Sequence, residues 1–176
     1  MKKHEIPFSH PVAVATLHGV THLKLTPDAE ALRRMARALG LHSIDAARCE
    51  FVVTHASNGL VSVEGTLAAS VHPLCVITME PLDETISESI AVRFAPAPLI
   101  ERMTKRAEEN GDLDFEPPDP ITDGVIDFGA LMTEFIALSL DPYPKKPGAE
   151  FKAGDLLEPP ASPFDALKAL KPKDGA

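Results

Sequence analysis

From Ala47 to Phe94 the chain alternates apolar and polar residues in runs that are broken by turn-forming residues, and this pattern leaves little choice but an antiparallel sheet. CEFVVTH (residues 49–55) and LVSVEGTLAASV (60–71) flank Ala56-Ser57-Asn58-Gly59. Asn-Gly between two strand-like runs is a hairpin signal, because both residues tolerate positive φ. In the second run Val61, Val63, Gly65, Leu67 and Ala69 share one face, and Ser62, Glu64, Thr66 and Ala68 the other. Gly65 inside that run suggests a bulge or bend. CVITM (75–79) and ETISESIAVRF (84–94) read as the next two strands, joined through Glu80-Pro81-Leu82-Asp83. Short turns cannot join parallel neighbours, so the expectation is a meander of four antiparallel strands.

Two amphipathic helices accompany the sheet. Upstream, residues 8–25 read as extended, with Gly19 breaking the run. Thr26 can then cap a helix that has Pro27 at its first position and Asp28 and Glu30 in its first turn. Leu32, Met35, Ala36 and Leu39 fall on one face, Arg33, Arg34 and Arg37 elsewhere, and Gly40 ends the helix. The second begins at Asp127, a cap, and sets Phe128, Leu131, Met132, Phe135, Ile136 and Ser139 at steps of three and four. Leu140-Asp141-Pro142-Tyr143-Pro144 stops it. Between sheet and second helix, Ala95-Pro96-Ala97-Pro98 ends the strands, and LIERMTKRAEEN has the composition of a short charged helix. GDLDFEPPDPITDG (111–124) is acidic and Pro-rich without an apolar period, and reads as a mobile loop. The expected fold class is α+β: an antiparallel sheet, strongly curved or barrel-like, packed against two main helices. One domain spans residues 1–151. The Pro- and Gly-rich tail, 152–176, carries one short helix candidate at Ser162, with Phe164, Leu167 and Leu170 in a stripe.

Composition narrows the function classes. The net charge of −9 disfavours broad capture of nucleic acid or of an anionic membrane surface, both of which need clustered Lys and Arg. It permits a basic protein partner. With no Trp and one Tyr, the core must be mostly aliphatic. Cys49 and Cys75 lie in apolar runs and are expected to be reduced, buried thiols without zinc spacing. The N-terminal stretch has no continuous apolar core of a signal peptide and no membrane span, so the expected location is the cytoplasm.

Catalytic signatures are sparse. There is no Gly-rich phosphate loop and no Gly-x-Ser-x-Gly elbow. His18 and His22 are four apart on a segment that alternates like a strand, which separates them too far to share a metal. Alternation puts His72 and Cys75 on opposite faces unless Pro73 breaks the strand, so a Cys-His nucleophile pair is not expected. Nothing fixes Glu84, Glu88 or the loop carboxylates at a distance suited to acid–base work. Tyr143-Pro144-Lys145-Lys146-Pro147 is extended and basic: a docking segment or a rigid connector.

Two segments in order, GTLAASVHPLCVITMEPL (65–82) and IDFGALMTEFIALSLDPYPKKPGAEF (126–151), resemble the DUF177/YceD family of large ribosomal RNA subunit accumulation proteins, in its alphaproteobacterial-type form. The shared features are a small-residue strand running into a Cys-containing turn that closes on Glu80-Pro81, and an Asp-hydrophobic-Gly helix start that leads to an Asp/Pro-rich exit. SPFDALKALK (162–171) is similar to the tail of many relatives. The chain departs from the pattern where many members carry Cys-x-x-Cys, since Cys75 is followed by Thr78. It departs again where many carry cysteines after the last helix, since this chain has Tyr143-Pro144-Lys145-Lys146. The thiolates of a structural zinc site are therefore missing, and no metal or cofactor is expected. The resemblance implies a non-catalytic role in 23S rRNA accumulation; the negative charge makes contact through a ribosomal or ribosome-assembly protein, with rRNA as a further partner in such a complex, the more natural route. The contact residues that the resemblance suggests are Cys75, Glu80 and Pro81 in the turn, and Pro142, Tyr143, Pro144, Lys145 and Lys146 in the exit. Cys75 and Pro81 would serve turn geometry more than contact. A competing reading is direct RNA binding through Arg33, Arg34, Arg37 and Lys24, and a third is an enzyme of unspecified chemistry.

Overall fold

The computed structural model describes residues 6–150. Its centre is the predicted hairpin, β3 (Ser43–His55) and β4 (Val61–His72), paired antiparallel from Ser43↔His72 to His55↔Val61. The connection is a five-residue loop. The Ala56 amide donates to Leu60 O at 2.9 Å, and Gly59 takes the one positive φ, +90°. Asn58 contributes through its side chain instead, with Oδ1 accepting from the Leu60 amide at 3.0 Å. The predicted alternation holds along β4: Val61, Val63, Leu67, Ala69 and Val71 are buried, while Glu64 and Thr66 are exposed.

Gly65 does not bulge. It stays in register opposite Phe51 and Ile90, and a Cβ there would meet Glu50 O at 2.7 Å and Phe51 Cδ1 at 2.9 Å. The missing side chain is space for the Phe51 ring, which packs on Phe128 with centroids 5.3 Å apart. The register irregularity falls at Ile44/Ala46 instead.

CVITM is not a strand. β5 (Glu84–Ala95) pairs directly with β4, from Val61↔Phe94 to Val71↔Glu84, so residues 73–83 form the connecting turn. Pro73 cannot extend the β4 ladder, Met79 adopts φ 58°, and Leu74 bridges to Pro81 across the turn. The meander has three strands rather than four. β2 (Gly19–Leu25) adds to it at β3, and the two-residue β6 (Asp119–Pro120) runs parallel to β5. The order is β2-β3-β4-β5-β6, an open sheet rather than a closed barrel. β6 also corrects the reading of residues 111–124 as a mobile loop: its second half is seated along β5, with Arg93 Nη2 donating to Glu116 O at 2.8 Å and Pro118 buried.

Helices cover the inner face. α1 (Ala29–Leu39) packs on β3 through Met35 and Ala36 and ends at Gly40 in the left-handed conformation. Its cap is Asp28, not Thr26: Oδ1 accepts from the Ala31 amide at 2.7 Å, and Pro27 lies just outside the helix. α2 (Ala97–Asn110) follows β5, as the charged segment suggested. α3 (Phe128–Ser139) buries Phe128, Met132 and Ile136 beside β4 and β5. Asp127 Oδ1 accepts from the Gly129 and Ala130 amides at 3.0 Å, and from His10 N at 2.7 Å. A Cβ on Gly129 would meet His10 N at 2.7 Å and Phe8 O at 2.8 Å. The Asp-Phe-Gly start is thus the seat of the N-terminal segment, whose strand β1 (Pro11–Ala13) pairs with β7 (Val125–Asp127). The core is aliphatic around Phe51 and Phe128. The tail helix predicted at Ser162, and the tail as a whole, lie outside the described residues.

Candidate functional site

The turn 73–83 is built between two anchors. At its root, His72 ends β4 with its imidazole between two carboxylates: Nε2 lies 3.0 Å from Asp45 Oδ2 and Nδ1 lies 2.9 Å from Asp83 Oδ1. The hydrogen bond and charge of Asp45, with a smaller contribution from Asp83, raise the imidazole's pKa against the opposing effect of burial. Both ring nitrogens are occupied, so His72 forms no pair with Cys75.

At the tip, the Cys75 amide donates to Glu80 O at 2.8 Å and the Met79 amide to Cys75 O at 2.9 Å, which folds the side chain inward until Cys75 is fully buried. Its sulfur is a hydrogen-bond acceptor. The Thr78 hydroxyl, the Lys146 amide (3.3 Å) and the amides of Thr78 and Ile77 together lower its pKa to about 6 despite burial. Cys49, on β3 in the core, has only a backbone bond from Glu50 acting to lower it, and burial, helped by the Glu50 charge, outweighs that bond and pushes its thiol up to about 12. Both cysteines are buried and outside any disulfide, as expected, although only Cys49 has the apolar surroundings that the sequence suggested.

The second anchor is the exit segment. After α3, Asp141 Oδ1 accepts from the Tyr143 amide at 2.8 Å, turning the chain toward the sheet end. Pro142, Pro144 and Pro147 pre-set an extended path that crosses the turn. The Val76 amide donates to Pro144 O at 2.9 Å, the Lys146 amide reaches Cys75 Sγ, and Lys146 Nζ meets Glu80 Oε2 at 2.6 Å. The ion pair lowers the Glu80 pKa and raises that of Lys146. Both side chains are half-exposed, so the pair orients more than it stabilises.

The two segments singled out in the sequence are therefore one unit, although Cys75 and Lys146 are 71 residues apart. Cys75 is its buried pin, Glu80 and Lys146 its clasp, and Pro81 its closing bridge; Pro142, Tyr143 and Lys145 are exposed on it. Around the Cys75 sulfur, Thr78 supplies a hydroxyl and Lys146 an amide. The sequence did not point to Val76 and Met79, which are 47% and 67% exposed on the turn, as Tyr143 is (70%) on the exit segment. Reading CVITM as a strand hid them; the prolines at 73 and 81, bracketing a short apolar run, were the available signal. Asp45 and Asp83 were also missed.

The basic residues of the competing RNA reading do not form one face. Lys24 pairs with Glu50 at 3.0 Å; Arg34 pairs with Glu30 and donates to Pro7 O. Lys24 and Arg34 line a cleft against the N-terminal segment, whereas Arg33 and Arg37 line another between α1 and β3.

No family model matches this chain, and no curated protein and no solved structure matches it. Among the described residues no helix is long and apolar enough to cross a membrane.

Proposed function

We infer that this protein is a non-catalytic factor of large ribosomal subunit biogenesis, of the DUF177/YceD type, which supports 23S rRNA accumulation in the cytoplasm by binding a ribosomal or ribosome-assembly protein. One observation carries the reading: the two segments on which the resemblance rests meet at a single surface, held by backbone bonds from Val76 and Lys146. A connector with no further role has no need of that junction. Val76, whose amide is bonded to Pro144 O, and Met79 on the turn and Tyr143 on the exit segment are all exposed, and Met and Tyr are residue types enriched in protein interfaces. Division of the basic residues between two clefts makes direct RNA binding the weaker reading.

Depletion of the protein tests this. The expected result is a reduced large-subunit peak on sucrose gradients with reduced 23S rRNA, restored by wild-type protein but not by a Met79→Asp, Tyr143→Ala variant. A normal profile on depletion would remove the proposal. Purified protein is expected to carry no stoichiometric zinc, and elemental analysis checks that separately.

A further inference from the structure

The cleft between α1 and the start of β3 has a volume of about 600 Å3 and borders the turn described above only through Asp45. Its floor is apolar, formed by Leu32, Ala36, Leu41 and Ile44. Arg33 and Arg37, one helical turn apart, stand on its rim, with His42 at one end. Among the described residues neither guanidinium has a carboxylate within ion-pair distance, although the chain is strongly acidic. Asp45, which also lines the cleft, is engaged by His72. Such a cleft fits a segment that presents one apolar side chain between two carboxylates.

The molecule carries that segment at its other end. After α2, Gly111 turns the chain in the left-handed conformation and Asp112-Leu113-Asp114 forms a tight tip, with the Asp114 amide donating to Asp112 Oδ1 at 3.3 Å. Leu113 is 97% exposed, the most exposed large apolar side chain among the described residues. The tip cannot enter the cleft of its own chain. Ile44, in the cleft, is level with Val71 and Glu84, whereas the tip's loop is fastened at Arg93, nine residues further along β5 and about 30 Å away.

We propose that the α1–β3 cleft receives the Asp112-Leu113-Asp114 tip of a second copy of this chain, Leu113 on the apolar floor and the two aspartates against Arg33 and Arg37. The contact is heterologous, since each copy offers a cleft at one end and a tip at the other, so association builds head-to-tail. Its small area makes it weak and dependent on concentration, and its charge pairs make it weaken with salt.

Sedimentation velocity on the full chain, from low micromolar to near-millimolar concentration, tests this. The wild type is expected to gain weight-average mass with concentration and to lose that gain in high salt. Leu113→Asp, which spoils the tip, and Arg33→Glu with Arg37→Glu, which spoils the cleft, are each expected to stay monomeric. Mixed together, these two variants are expected to form a dimer and stop there, because one retains a cleft and the other a tip. All three side chains are exposed, so circular dichroism should report unchanged folds. A wild type that stays monomeric throughout would overturn the proposal. So would association that survives both variants, or a mixture that fails to dimerise.

Discussion

The two cysteines show how far one side chain's chemistry depends on its neighbours. Cys75 receives a hydroxyl and several amides and ionises near 6, whereas at Cys49 burial outweighs a single backbone bond from Glu50 and the thiol stays protonated to about 12. Ultraviolet titration of the thiolate should therefore show one transition near neutrality that is absent in Cys75→Ser. The folded pKa of Cys75 lies below its ordinary 9.0, so its ionisation stabilises the fold fully above that value and loses its contribution as pH falls toward 6. His72 has the opposite sign. Its raised pKa gives a contribution that is complete below 6.5 and fades as pH rises through the folded value. Chemical denaturation across this range should show the stability difference between wild type and Cys75→Ser growing with pH, and that between wild type and His72→Gln shrinking. Parallel pH curves for the two variants would contradict the geometry of the turn.

At the level of elements, two glycines mark close approaches that a methyl group would block. At Gly129 the obstructing atoms are backbone of Phe8 and His10, which cannot rotate aside. Gly129→Ala is expected to cost about 1–3 kcal/mol, the range for overpacking, in spite of alanine's better helix propensity. Asp127→Ala removes the cap of α3 and an acceptor for His10 in one change, with an expected loss of about 2 kcal/mol at neutral pH. Burial acts to raise the Asp127 pKa, but bonds from Ser9, His10, Ala130 and Gly129 outweigh it and hold the carboxyl below the ordinary 3.8. That stabilisation is present above 3.8 and is lost as pH falls through the folded value, so the wild type and Asp127→Ala should converge in acid. Urea denaturation of both variants measures these effects.

Across the whole molecule, periodicity revealed what local pattern can encode. The Asn58-Gly59 connection, the buried face of β4, the Gly40 stop and the Asp127 start were all legible, because each rests on neighbours within a few residues. The α+β class followed from them. The misreadings share another cause. CVITM has strand propensity, but β4 and β5 pair past it, and that register is fixed by core contacts far along the chain. Likewise the seating of residues 119–120 on β5, and of the exit segment on the turn, depends on partners that no local window contains. Both halves of the candidate site were legible as segments, but their junction was not. Opposite Cys49 on β4 is Leu67, four residues short of Val71 and so about 13 Å from where the chain leaves the sheet toward Cys75. Oxidation therefore has no internal disulfide to make, and the fold should be indifferent to reductant. Cys75 has a further use as a built-in reporter. It is ionised at neutral pH yet sealed beneath the exit segment, so a disulfide reagent can label it only in moments when the exit lifts from the turn, while Cys49 stays silent. The labelling rate would time that opening, and a partner clamped over the junction would slow it.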